Sequence, residues 1–462
     1  MAFVGPRMIS ACSIPTPPSI DRPRIMSFLA DRLPLPEPCG DGVVSYSIAV
    51  PSLPLSSSPL LLPDVWSWAR PSEGLALIGI GVALQRAYAG PDELAGAMPS
   101  IRWDHRVLEG EADRPVAFLG HGFGGEDPSG LPGGLLRIPS LLMRYQSGRV
   151  DMVFSHSGDD EPADVRQSWL DAADRLLLSL QTPLPPLSGT VLARLSESPT
   201  QDVFHRRVEA VTSAIAEGRV EKVVLSRRVV VAGSRPFVPA RLVAALTEQH
   251  PSCAIFTASF GSNILVAASP ERLVACRDRR VESYALAGTA RCDSADPFLG
   301  GRLLCSAKDR HEHRLVVGWI EEALRGLCET LDVPAEPRRM TLGKLQHLWT
   351  PISGVLRPDA GLLEAAHALH PTPAVAGLPL ATARQILTDL GETRSGWYSG
   401  ALGWIDRGGD GELDVVLRCA LLNGYLAELS AGGGIVGASQ PEAEFAETEL
   451  KLQTMLDALQ VA

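Results

Sequence analysis

At 462 residues the chain has material for one large domain or two to three ordinary ones. Hydrophobic residues make up 45% and charged residues 21%, a balance that excludes a largely disordered chain. The net charge of −11 argues against a broad basic surface for nucleic acid, so an anionic ligand has to be captured by a local pocket or a metal.

Along the chain, twelve of the 37 prolines fall within the first 63 residues. Ser13–Arg24 and Pro51–Pro59 lack helical spacing, which predicts extended or mobile connections. Ile9–Cys12 resembles a lipoprotein cleavage site, but Pro6 and Arg7 precede it and no apolar core of ~7–15 residues is present. With no uncharged apolar run of the ~20 residues a membrane helix needs, the expected location is the cytoplasm, away from membranes. The eight cysteines contain no Cys-x-x-Cys pair, so free thiols are expected. Gly74–Val82 and Pro115–Leu119 read as strands, and a further strand is expected at Val153–His156. Ala163–Leu180 and Pro199–Glu217 read as helices joined across a Pro183–Pro186 linker. The β-branched run Lys222–Val231 predicts a buried strand. Hairpins are expected at Ala254–Ser259 with Ile264–Ala268, and at Leu273–Arg277 with Arg280–Leu286. Ser306–Leu327 and Pro441–Leu459 are amphipathic helices. Gly400–Asp406, Asp414–Leu422 and Leu426–Ala431 are strand-like. Hairpins followed by helices, without strict alternation, predict an α+β fold with antiparallel sheet.

Several segments suggest chemistry. Gly120–Gly125 matches GxGxxG, but the following Glu126–Gly134 is too rich in Gly and Pro to open the helix a dinucleotide site needs. His311 and His313 lie two apart on a helix and point to different faces, so they do not chelate one ion. Asp309 and Glu312 sit at i, i+3. Glu444, Glu447 and Lys451 sit at i, i+3, i+7. Two helices with paired carboxylates fit either solvated faces or a grip on one hard divalent cation such as Mg²⁺. Gly432, Gly433 and Gly434 read equally as a tight turn or as a backbone cradle for a carboxylate or phosphate. Lys222 opens an apolar strand, where a lysine is either solvated or shielded enough to act as a base.

Taken together, KVVLSR at 222–227, ASPER at 268–272, LAGTAR at 286–291, KDRHEH at 308–313, LHPTPAVAG at 369–377, WYSG at 397–400, LRCA at 417–420, GGGIV at 432–436 and EFAETELK at 444–451 resemble the chorismate-utilising enzyme family. The resemblance is closest to its isochorismate synthases, and the matches follow family order over about residues 200–462. It implies a single large α+β fold of stacked antiparallel sheets with outer helices and an active site between two subdomains. Along the chain, 1–60 is expected to be a Pro-rich, partly mobile segment, 61–195 a divergent N-terminal part, and 196–462 the chorismate-binding core.

By the same resemblance, Glu312 and Glu447 bind Mg²⁺ directly while Asp309 and Glu444 support it. Lys222 is implied as the base that activates water, and Glu271 as the acid that protonates the departing hydroxyl. Arg418 and Tyr398 are expected on the enolpyruvyl carboxylate. Gly288, Thr289, Gly432, Gly433, Gly434 and Lys451 are expected around the substrate, and His370 and Ala374 in the pocket wall. Ala287 stands where aminodeoxychorismate synthases carry a nucleophilic lysine. Ala374 stands where salicylate and anthranilate synthases usually carry threonine. The implied activity is Mg²⁺-dependent conversion of chorismate to isochorismate, for menaquinone, siderophore or salicylate synthesis, by a monomer or weak homodimer. Salicylate synthase is the alternative. Anthranilate synthase component I is the remoter one, since its N-terminal tryptophan-feedback motif is not apparent.

Overall fold

The computed structural model describes residues 20–462 apart from 52, 91, 94–95, 97, 111–113, 125–126, 186–188, 292–302 and 343–344. Expectations for Ser13–Ser19, Cys12, Gly125–Glu126, Pro186 and Cys292 therefore fall outside the described residues.

Among the described residues, two large sheets of 13 and 10 strands organise the chain. Both draw on the two halves of the sequence. In the larger sheet, the early strand Val65–Arg70 joins the late strand Ala254–Phe260. In the smaller, Val116–His121 joins Ala401–Asp406. A core rich in aromatic side chains, including Trp66, Trp68, Phe118, Phe256 and Trp404, fills the space at these seams. Strand pairing is antiparallel, as the hairpin pattern predicts, except between Val43–Val50 and Trp103–Glu109, which run parallel. No helix among the described residues is long and apolar enough to cross a membrane.

The helices follow local signals. Asn/Ser-type capping starts Ala307–Arg325, where the Ser306 side chain accepts the Asp309 N–H. Pro441 opens Pro441–Leu459 from a first-turn position that needs no N–H donor. The hairpin Arg272–Arg277/Arg280–Arg291 turns on Asp278 and Arg279, both at positive φ (48° and 63°), as a two-residue hairpin turn of matching twist demands.

Three local expectations need correction. Within the proline-rich segment a helix forms at Arg22–Arg32, because Asp21 caps it and Pro23 sits in its first turn, where proline is tolerated. The expected strand Asp414–Leu422 is two strands, Gly411–Val415 and Cys419–Asn423, broken where Arg418 adopts φ 47°. The three glycines form no turn: Leu426–Ile435 runs straight through them, paired with the Lys222 strand from Val223 to Ala232. The Gly120 segment is the end of a strand, and no helix opens among the described residues of 122–133, as the glycines and prolines there predict. Gly120 is needed there because a Cβ would lie 2.6 Å from the Trp397 ring.

Candidate active site

The two acidic helices pack on strands of different sheets: Ala307–Arg325 on Arg280–Arg291 of the smaller sheet, and Pro441–Leu459 on Leu426–Ile435 of the larger. Their i, i+3 spacing turns the paired carboxylates toward each other. Three of the four carboxylates meet a lysine. Lys222 Nζ lies 2.8 Å from Glu312 Oε1, Lys308 Nζ 2.7 Å from Glu444 Oε1, and Lys451 Nζ 2.7 Å from Glu447 Oε1. Lys451 also donates to the Gly432 carbonyl at 2.9 Å. Burial pushes the Glu312 carboxyl up, but the charge and hydrogen bond of Lys222 outweigh it and hold it below the usual range. For Glu444, burial and then the charge of Glu447 raise the pKa. Asp309 is raised by burial, with Glu312 and Glu447 adding to it. Burial lowers the Lys451 ammonium, yet Glu447, Glu312 and Glu444 together raise it above its ordinary value. Four carboxyl groups thus feel one another across two helices.

Glu312 and Glu447 open onto a cavity that Lys222, Glu271, Thr289, Ala374, Tyr398 and Arg418 also line. Glu271 sits between the strands Asn263–Ser269 and Arg272–Arg277. Its N–H donates to Ser269 Oγ and its carbonyl accepts from the Val415 N–H at 2.9 Å, which fixes its backbone. Burial pushes its carboxyl up to about 7, against the opposing pull of Lys222, Lys451 and a hydrogen bond from Thr372. Gly288 occupies a bulge at φ 78°, where a Cβ would come 3.0 Å from Asp309 Cβ.

Glycine is required in the strand beneath the cavity because side chains lie across it. A Cβ on Gly432 would sit 2.8 Å from the Tyr398 hydroxyl, and one on Gly434 would strike Glu312 Oε1 and lie 2.6 Å from Lys222 Cε. Alternation along the strand turns Gly433 the other way, toward Glu444 and Thr448, so it does not line the cavity as expected. His370 is a second correction. Its ring stacks edge-on against His121 at 4.6 Å and its Nε2 donates to the Ser399 carbonyl at 2.9 Å, leaving it behind the wall. Asp309 and Glu444 likewise sit off the cavity surface, beside the acids that face it.

His347 lines the cavity and no sequence signal marked it. Its Nδ1 pairs with Thr289 Oγ1 and its Nε2 accepts from Arg418 Nη2, both at 3.1 Å. Burial, then the charges of Arg418 and Lys451, keep this imidazole neutral well below its ordinary pKa. The other end of the Arg418 guanidinium, Nη1, is buried with no hydrogen-bond partner. A buried guanidinium nitrogen without an acceptor is a ready receptor for a carboxylate. Among the described residues no three His, Cys, Asp or Glu groups are gathered closely enough to hold a metal as they stand, the lysines occupying the carboxylates instead. The donors are nonetheless all hard carboxylate oxygens, the set that suits Mg²⁺.

Known proteins resemble this chain in sequence and in fold. A family model described as chorismate binding enzyme matches residues 60–460. The salicylate biosynthesis isochorismate synthase of Pseudomonas aeruginosa is 42% identical over 262 residues, 55% of this chain and 54% of that protein, so the match spans about half the relative's length. Isochorismate synthase EntC of Escherichia coli K12 is 38% identical over 263 residues, 56% of this chain and 67% of that protein. The solved structure of MenF, the menaquinone-specific isochorismate synthase from Escherichia coli, superposes with a TM-score of 0.78 at 27% identity, covering 95% of this chain and 99% of that one.

Proposed function

The chain belongs to the chorismate-binding enzyme family, and from that premise we propose that it is an isochorismate synthase that adds water at C2 of chorismate as the C4 hydroxyl leaves. The observation that carries this reading is the pairing of buried Lys222 and buried Glu271 in one cavity, with Arg418 Nη1 free to take a carboxylate. Water is a poor nucleophile and hydroxide a poor leaving group, so the reaction needs a base and an acid at once. Lys222, in its neutral amine form and released from its ion pair with Glu312, accepts the proton of the attacking water. Glu271, with its pKa near 7, keeps a protonated fraction at neutral pH and delivers that proton to the departing hydroxyl. Arg418 and Tyr398 hold the enolpyruvyl carboxylate, and His347 fixes the guanidinium that does so.

Glu312 and Glu447, with Asp309 and Glu444 beside them, are the residues that would hold Mg²⁺, whose charge lets a dicarboxylate substrate approach four acids. Ala287 offers no amine and Ala374 no hydroxyl, which favours release of isochorismate over an amine-linked intermediate or onward loss of pyruvate. The test is a time course with chorismate and Mg²⁺ in which isochorismate, salicylate and pyruvate are resolved. Early isochorismate without pyruvate is the expected result. Stoichiometric pyruvate with salicylate would move the chain to the salicylate synthases.

A further inference from the structure

The strand Lys222–Gly233 has a continuous partner on one edge only. On its other edge Gly377–Leu378 pairs with Lys222 and Val223, and Leu192–Ser198 pairs from Arg228 onward. Across the gap between them the backbone turns to other partners. The Val224 N–H donates to the Ala376 carbonyl at 2.9 Å. Arg394 Nη2 donates to the Val224 carbonyl at 3.0 Å, and Arg394 Nη1 to the Val375 carbonyl at 2.6 Å. Glu392 accepts from the Ser226 N–H at 3.1 Å to each oxygen and from its hydroxyl at 2.8 Å. The Arg394 and Glu392 side chains touch at 3.4 Å and are 5% and 3% exposed. The guanidinium carbon lies over the Phe123 ring, 3.9 Å from its centroid.

Both ends of this bridge lead to the reacting groups. Val224 is two residues from Lys222 on a rigid strand. Val375 and Ala374 line the cavity. In the same loop Thr372 accepts the Ala374 N–H at 3.2 Å and hydrogen-bonds to Glu271. We propose that Arg394, backed by Glu392, is a positioning residue that sets Lys222 and Glu271 in register across the cavity without touching substrate. The inference rests on the acid–base assignment above. A planar guanidinium fork holds two carbonyls at one fixed separation, which a lysine cannot do. A misplacement near 1 Å between reacting groups is worth up to ~10²-fold in rate.

The experiment is a double-mutant cycle on the full chain, with Arg394→Lys and Thr372→Val measured singly and together. Arg394→Lys keeps the buried charge and loses the fork. Its kcat is expected to fall about 10- to 100-fold, with KM for chorismate within about twofold of wild type. Thr372→Val is expected to lower kcat in the wild type and to cost little more in the Arg394→Lys background, because the loop has already lost its registry. Should Arg394→Lys fail to fold by circular dichroism, Glu392→Gln carries the same cycle in milder form. A kcat for the Arg394 variant within twofold of wild type, or two losses that multiply in full, overturns the proposal. A wild type that forms no isochorismate overturns the acid–base reading itself, and the proposal with it.

Discussion

Lys222 and Glu312 form an ion pair of 2.8 Å between the first residue of a strand and the second turn of a helix, with the lysine side chain 1% exposed. A buried pair of this kind contributes little net stability, but loss of one partner strands the other at a cost of about 3–5 kcal/mol. The ammonium therefore cannot drift away from the cavity, and any group that engages Glu312 also changes the surroundings of the base. Lys222→Ala should lower kcat by at least ~10²-fold, as should Glu271→Gln, the low end for loss of a general acid or base. Either variant retaining more than about a tenth of wild-type kcat contradicts its assigned role.

The acidic pairs give a separate prediction. Glu312→Gln and Glu447→Gln should abolish turnover and weaken Mn²⁺ binding measured by titration calorimetry, with the far-ultraviolet circular dichroism unchanged. EDTA should silence the wild type and added Mg²⁺ restore it. Full activity in EDTA removes the metal from the mechanism.

The pH profile reports on Glu271. Its carboxyl is raised from 4.5 to about 7 in the folded protein, chiefly by burial. As the acid it works in its protonated form, so kcat/KM should fall as pH rises through about 7, and Glu271→Gln should lose that limb along with most activity. The same shift has a sign for stability. A carboxyl that binds its proton more tightly when folded supports the fold at pH below 4.5, and that contribution is lost as pH climbs from 4.5 toward 7. In Glu271→Gln, melting temperature should change less between pH 5 and 8 than in wild type.

Gly434 tests the close packing beneath the cavity. A methyl group there would collide with Glu312 Oε1 and Lys222 Cε, two groups locked to each other. Overpacking of this kind typically costs 1–3 kcal/mol in stability, but the displaced atoms are the reacting ones. Gly434→Ala should therefore reduce kcat more than tenfold while the protein still melts cooperatively. Gly433→Ala, whose Cβ would have 3.5 Å to its nearest neighbour, should be the milder change.

What the sequence discloses is largely local. The helix Pro441–Leu459 is legible from its proline and its apolar spacing, and Ser306 announces Ala307–Arg325. Twelve of the residues expected in the site do line the cavity, because their motifs keep fixed spacing along the chain. Partnerships across the chain are not legible. Nothing near Lys308 foretells its hold on Glu444, 136 positions away, and His347 gains its role only from a register that sets it beside Thr289. The glycine triplet misleads for a physical reason: its lack of side chains looks like a turn, while the need is for room under Lys222, Glu312 and Tyr398.

The two seams between early and late strands have a consequence for biosynthesis. Ser67 on Val65–Arg70 hydrogen-bonds to Thr257, 190 positions later. At ~5–20 residues per second the ribosome needs roughly 10–40 s to deliver that partner. Throughout this interval the nascent N-terminal half presents an unpaired edge bearing Trp66 and Trp68, the kind of surface that recruits a neighbouring nascent chain. Yield of native protein should therefore depend on how fast translation closes that gap and on whether a chaperone shields the edge meanwhile.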